Sequence, residues 1–422
     1  MFGPLLLLLL PLALSAPCAT DLDCSLNGEC SATGTCACDA AWSGPTCSIL
    51  NLLPSAPGDG TCDPTLNGTA RGYSTTWGGR PLLEAATGTW ILHAAEMARN
   101  CGMCSWGSQS QVATYTAPSL TGPYTRAGTA VGAFAHNPSV LATPPGTGEG
   151  ANFLLFHIGI GCDSAGVHAC NYSRLPACTN GTTPLHPLPP LPAPATVPNV
   201  TRAVAHIAAS LRGPWRAPPA DWKLPSCNNP SPLFLRNGSL MLLCHGSYAQ
   251  CTHSSGGLSL FTSLTADWRR GAYGFRCLNL VNPNFTDPAS GASFTAANED
   301  PDVYQDSRGM LHILTHNQSP CYSGPVAAGF YGADVRGCGG HFFSADGGES
   351  WRFAWHAAYN GTVQYSTGAK VYKRERPKVV QDEKGALVGL ATGVGVELVD
   401  AFAAGNDSAC TLVAAIATAA AP

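Results

Sequence analysis

Five times along the 422-residue chain one local pattern returns: a proline before a short strand, then a turn, then a markedly apolar strand. The first half reads GGRPLLEA (78–85), AHNPSVLA (135–142), CNNPSPLF (227–234), NEDPDVYQ (298–305) and RERPKVVQ (374–381). The second half reads TWILHAAE, FLLFHIG, SLMLLCHG, MLHILTHN and ALVGLATGV. A further word closes four of the units: SLTGPY (119–124), SLRGPW (210–215), SLTADW (263–268) and the longer SADGGESW (344–351). Each follows a short strand and ends in a large aromatic, which predicts a hairpin whose aromatic packs back on its own sheet. A repeated strand–strand–hairpin unit arranged radially is a propeller blade, so the expected fold class is all-β, a five-bladed β-propeller. The 47 glycines, 34 prolines and only 11% charged residues suit many short strands joined by turns. The fifth unit supplies three strands, so part of 50–76 is expected to complete it. The seven prolines of TTPLHPLPPLPAPATVP (182–198) cannot sit in a sheet and predict a stiff, exposed insertion.

The N-terminus, MFGPLLLLLLPLALSAP, carries an apolar run too short to span a bilayer, followed by small residues at signal-peptidase spacing. Residues 1–16 are expected to be a signal peptide, and the protein secreted and extracellular. Nineteen cysteines and nine N-x-[ST] acceptors agree with an oxidising compartment and a glycoprotein. Six of the cysteines fall within 18–47 at gaps of 5, 5, 5, 1 and 8. This segment is too small to build its own core, and its closing stretch, CACDAAWSGPTC, resembles the last loop of an EGF-like domain. The resemblance implies the pairs Cys18–Cys30, Cys24–Cys36 and Cys38–Cys47; spacing alone allows fifteen connectivities among six cysteines. The module (17–48) lacks the acidic and amide residues that calcium-binding members carry before the first cysteine. It is expected to act as a spacer or as a contact for a protein partner. The propeller is expected to span 49–422. Its thirteen cysteines are odd in number, and CGMC (101–104) reads as two structural half-cystines.

In a five-bladed ring the first strand of each blade lines the axis. The two residues before each repeat proline are the expected mouth: Gly79–Arg80, His136–Asn137, Asn228–Asn229, Glu299–Asp300 and Glu375–Arg376. Neighbouring residues on a strand face opposite sides, so only one of Glu299 and Asp300 is expected to point inward. The NP and DP words on inner strands, with SLxGPW on the hairpins, are similar to glycoside hydrolase family 43 and its fructan-cleaving relatives over residues 50–422. SADGGESW resembles the Asp box of sialidases and other propellers. The family resemblance implies three carboxylates on separate blades, with acid and base about 6.5–9.5 Å apart for an inverting reaction. Here blades one to three offer Arg80, Asn137 and Asn229, and an amide cannot serve as a base at neutral pH.

Two functions follow. One is a secreted hydrolase of an extracellular polysaccharide, with Glu299 or Asp300 as acid and Glu96 or Glu375 as base. The other is a lectin-like propeller that binds a glycan without cleaving it. In either, Trp77, Arg80, His136, Asn137, Asn229 and Arg376 are expected to contact the sugar. The recurring histidines His136, His157, His245 and His316 read as core residues, or as ligands for a sugar or metal. No cofactor is expected: a calcium on the axis occurs in the resembled family, but no D-x-D cage is legible. The net charge of −4 gives no reason for a nucleic-acid partner, and a monomer is expected.

Overall fold

The computed structural model of the protein describes residues 18–62, 75–98, 103, 106–132, 134–159, 203–245, 257–278, 284–286, 293–295, 298–317, 338–354, 356–368, 370–371, 373–395 and 409–418. The signal-like segment, the proline-rich insertion and the cysteines of CGMC lie outside them.

Five antiparallel sheets are each built from strands consecutive in sequence. Blade one holds Thr76–Glu84, Thr89–Met97, Ser110–Ala117 and Thr125–Val131. Blade two holds Ala135–Ala142, Phe153–Gly159 and Ala203–Ala208, with a bridge from Ile207 to Arg216 at its outer edge. Blade three holds Asn228–Phe234, Leu240–His245, Leu258–Ser263 and Tyr273–Leu278. Blade four holds Asn298–Gln305, Leu311–Asn317, Cys338–Ser344 and Arg352–Phe353. Blade five holds Lys373–Gln381, Leu387–Gly395 and Ala409–Ala415. The first strand of each blade packs against that of the next, and the first strand of blade five closes against that of blade one. The result is a five-bladed ring with these five strands innermost. The one described helix is a single turn, Trp106–Gln109.

The second strands are apolar without alternation because each is covered on both faces by neighbouring blades. Ile91 and Leu92, Leu154 and Leu155, Leu242 and Leu243, and Ile313 and Leu314 are all fully buried adjacent pairs. At about 2 kcal/mol per buried side chain, these strands supply much of the inter-blade adhesion. The hairpin words behave alike. Ser119 Oγ donates to the Gly122 carbonyl (2.7 Å) and Ser210 Oγ to the Gly213 carbonyl (2.8 Å). Both glycines need positive φ, 105° and 86°, which a side chain would resist. The terminal aromatics Tyr124, Trp215 and Trp268 are buried, as expected. In the Asp box, the Asp346 carboxylate accepts from Ser344 Oγ (2.7 Å) and the Ser350 amide (2.9 Å), while Trp351 Nε1 donates to the Gly348 carbonyl (3.1 Å).

Blade five is finished by the chain that precedes blade one. Leu53 N donates to the Ala415 carbonyl, Ala417 N to that of Asn51, and Thr61 N to that of Thr411, all within 2.9 Å. Cys62–Cys410 staples the two segments together across 348 residues. Pro54 and Pro57 lack the N–H groups of a ladder, so 51–62 touches the sheet at its two ends and forms no continuous strand.

The cysteine module carries the three disulfides implied by its resemblance, Cys18–Cys30, Cys24–Cys36 and Cys38–Cys47. It is no free spacer, because it packs against blade four and shares a buried cluster with Val379, Leu387 and Leu390 of blade five. Trp42 is buried and stacks on His341 (4.9 Å), which stacks on His312 (5.3 Å), which stacks on Tyr304 (5.0 Å). Leu50 N donates to the Ala358 carbonyl (2.8 Å), and Arg308 pairs with Asp39 (2.8 Å).

Candidate functional site

Each inner strand breaks register with its neighbour at the same place, and this break builds the site. The skipped residues lie between Trp77 and Arg80, His136 and Ser139, Asn228 and Ser231, Glu299 and Asp302, and Glu375 and Lys378. The first skipped residue always has positive φ: Gly78 (68°), Asn137 (53°), Asn229 (44°), Asp300 (49°) and Arg376 (55°). Left-handed backbone costs a non-glycine residue about 1–2 kcal/mol, and four of the five blades bear it at this one position. In those blades a proline follows. In blade one the next residue is Gly79 at φ 121°, out of reach of proline, and a Cβ there would meet the His93 carbonyl at 2.2 Å.

Blade one therefore aligns two residues away from the sequence-based expectation. Its counterpart of Asn137, Asn229, Asp300 and Arg376 is Gly78, and Pro81 only imitates the repeat proline. Arg80 is not at the mouth. It belongs to a deeper rung with Ser139, Ser231, Asp302 and Lys378. There Asp302, fully buried, pairs with Arg80 and accepts from Lys378 Nζ (3.3 Å), Ser231 Oγ (3.2 Å) and the Val379 amide (2.8 Å). This ion cluster ties blades one, three, four and five together on the axis. Burial pushes the Lys378 ammonium pKa down, against the pull of Asp302.

Above it, the bulge overturns the expectation that Glu299 and Asp300 face opposite ways. With Asp300 in the left-handed region, its carboxylate, that of Glu299 and the His316 ring nitrogen all lie within 4.8 Å of one another. Asp300 is 3% exposed. Its Oδ1 accepts from Asn229 Nδ2 (2.7 Å) and faces Arg376 Nη1 (3.4 Å), and its Oδ2 lies 3.8 Å from His316 Nδ1. The other His316 nitrogen is 3.5 Å from Glu375 Oε1, and His245 Nδ1 is 3.9 Å from Glu299 Oε1. Burial and the Asp300 charge push the Glu299 carboxyl up. Burial pushes Asp300 up too, but Arg376 and His316 outweigh it and hold the carboxyl well below the usual range. Burial lowers His316, yet Glu375 and Asp300 win and raise it.

Of the residues expected here, the structure gathers Glu299, Asp300, Glu375, Asn229 and Arg376. His136 borders them: it is fully buried, takes a hydrogen bond between its Nδ1 and Ser110 Oγ (2.7 Å), and is covered by Trp106 (5.1 Å). Burial, then the charge of Arg376, lowers its pKa. Asn137 occupies the same rung as Asn229 and is buried. Besides that for Arg80, two expectations are corrected. Glu96 is turned along the sheet of blade one, where Gln111 Nε2 (2.6 Å), Tyr115 and both Nε and Nη2 of Arg126 take up its oxygens. Its carboxylate has no room to act as a base. Trp77 is 2% exposed and packs flat over Gly393, so it is core and no sugar platform. Of the recurring histidines, expected as core residues or as sugar or metal ligands, the structure brings His245 and His316 to the site. Each lies at the end of a second strand directly opposite the bulge, His245 as its last residue across from Asn228 and His316 as its last but one across from Glu299.

Comparison with known proteins bears mainly on the small module. Residues 18–47 match the EGF-like domain family. No curated protein matches the chain. Among solved structures, the chain is similar to an endo-arabinase from Bacteroides thetaiotaomicron (13% identity, 86% of this chain and 97% of that one, TM-score 0.45). It is also similar to a thermostable family-43 glycoside hydrolase (11%, 82% and 92%, 0.45). A third is an exo-β-1,3-galactanase from Phanerochaete chrysosporium (10%, 89% and 63%, 0.43). The five-bladed ring itself stands on the sheet order and its closure.

Proposed function

We propose that this is a secreted propeller that binds an extracellular glycan at its axial mouth without hydrolysing it. One observation carries the reading. At the blade-one position of the rung there is no side chain, and its place is taken: a Cβ on Gly78 would meet Arg376 Cβ at 3.0 Å and Cδ at 3.3 Å. The arginine stem fills the space a blade-one carboxylate would need, and its head turns to Asp300. Among the described residues the acids at the mouth come only from blades four and five, and Glu96 is spent elsewhere. Of the two expected bases, Glu96 is turned away and Glu375 faces His316 at 3.5 Å; Glu299 and Asp300, within 4.8 Å of each other, are too close to form an inverting pair between themselves, which needs about 6.5–9.5 Å with a water between. What remains suits hydrogen bonding to hydroxyls: the amides of Asn137 and Asn229, the Arg376 head, and carboxylates already oriented. The signal-like N-terminus, the sequons and the disulfide-bonded module support an extracellular setting.

A second reading, hydrolysis with Glu299 as general acid, draws on one specific feature. Glu299 is pushed up while Asp300 is held ionised, the split that separates an acid from its neighbour. The test is a panel of neutral and acidic polysaccharides, assayed for binding and for released sugar ends with wild type and Glu299→Gln. Binding with no sugar released by either protein upholds the first reading. Turnover by wild type that Glu299→Gln abolishes replaces it with the second.

A further inference from the structure

Two histidines at the mouth are placed as metal ligands, and we infer that Glu299, Asp300, His316 and His245 form a site for one divalent transition metal of the zinc type. His316 Nδ1 lies 3.8 Å from Asp300 Oδ2, and His245 Nδ1 lies 3.9 Å from Glu299 Oε1. Both separations are too long for hydrogen bonds. Both Nδ1 atoms are buried without a hydrogen-bond partner, and His316 as a whole is 4% exposed. Ligands at about 2.0–2.2 Å from a shared zinc stand about 3.4 Å apart, so each of these two pairs lies within about half an ångström of the spacing that a zinc imposes. Glu299, Asp300 and His316 already offer atoms within 4.8 Å of one another.

The surroundings fit the same chemistry. Asn229 and Arg376 occupy Oδ1 of Asp300 and leave Oδ2 turned to His316. The far nitrogen of His316 faces Glu375 at 3.5 Å, the carboxylate–imidazole arrangement that keeps the proton on Nε2 and the lone pair on Nδ1. Two imidazoles with two carboxylates favour zinc or manganese; calcium and magnesium favour shells of oxygen. This site stands independently of the glycan reading.

The test uses the full chain, stripped with a chelator and titrated with Zn²⁺ by calorimetry in the absence of sugar. Wild type is expected to bind one equivalent, with a rise in melting temperature. Glu375→Gln removes only the outer partner and is expected to weaken binding about 10–100-fold. Glu299→Gln and His245→Gln, ligands from different blades whose side chains are 25% and 16% exposed, are expected to weaken it further and to lose the thermal shift. His157→Gln, in the buried histidine pair of blade two, is expected to leave the affinity unchanged. Absence of stoichiometric binding by wild type overturns the site, as does equal binding by Glu299→Gln and His245→Gln that melt like wild type without metal.

Discussion

Asp302→Asn isolates the ion cluster on the axis. The substitution preserves shape and one acceptor but removes the negative charge that faces Arg80 and Lys378. The Asp302 side chain is 0% exposed, that of Lys378 2% and that of Arg80 12%, so water cannot replace the lost partner. Removing one member of a buried pair costs about 3–5 kcal/mol, because the other charge is left uncompensated. The two cations do not share that cost equally. Burial already pushes the Lys378 ammonium down, so losing the carboxylate favours its neutral amine, whereas a guanidinium has no neutral form to fall back on. Arg80 therefore carries most of the loss. Urea unfolding with disulfides intact, followed by tryptophan fluorescence, should show the midpoint fall with the slope unchanged. The double variant Arg80→Met, Asp302→Asn should be more stable than Asp302→Asn alone, because the stranded cation is gone. The reasoning is refuted if Asp302→Asn lies within about 1 kcal/mol of wild type, or if the double variant is the weaker of the two.

Three further outcomes can be measured on the same material. Burial lowers the pKa of His93 from 6.5 to about 4 and that of His157 to about 3, so the unfolded chain takes up protons that the folded one refuses. Their contribution to stability is complete above pH 6.5 and is lost as pH falls toward those values; His316, raised, acts in the opposite sense, losing its contribution as pH rises through its folded value. The urea midpoint should drop between pH 7.5 and 5, and His157→Phe should show a smaller drop. Cys62→Ser with Cys410→Ser removes the staple that closes the ring and should cost about 2–5 kcal/mol, read as a lower melting temperature. Trp42→Ala, which empties a buried ring site between the module and blade four, should cost about 3–5 kcal/mol and make the 47–62 segment a preferred site of limited proteolysis.

The sequence by itself determined the repeat. A blade is a local object, and its proline, apolar second strand and Gly-Pro hairpin each act within a few residues, so the five sheets and their order were legible from word spacing. The EGF-like disulfides were implied by the resemblance of 18–47 to that module, because spacing alone left fifteen connectivities. The site was only partly legible. A strand read from sequence alternates, and alternation would send Glu299 and Asp300 to opposite sides. The left-handed residue at each bulge cancels that alternation, and nothing in NEDP announces it. In blade one the bulge is made by two glycines, so Pro81 supplied a false register and placed Arg80 at the mouth. Glu96 looked free because its partners, Tyr115 and Arg126, lie 19 and 30 residues further along the chain. The docking of Trp42 on a stack of blade-four rings is longer in range still. Local backbone preference is written in neighbouring residues; which charges meet on the axis, and what covers them, is decided only when five blades close around it.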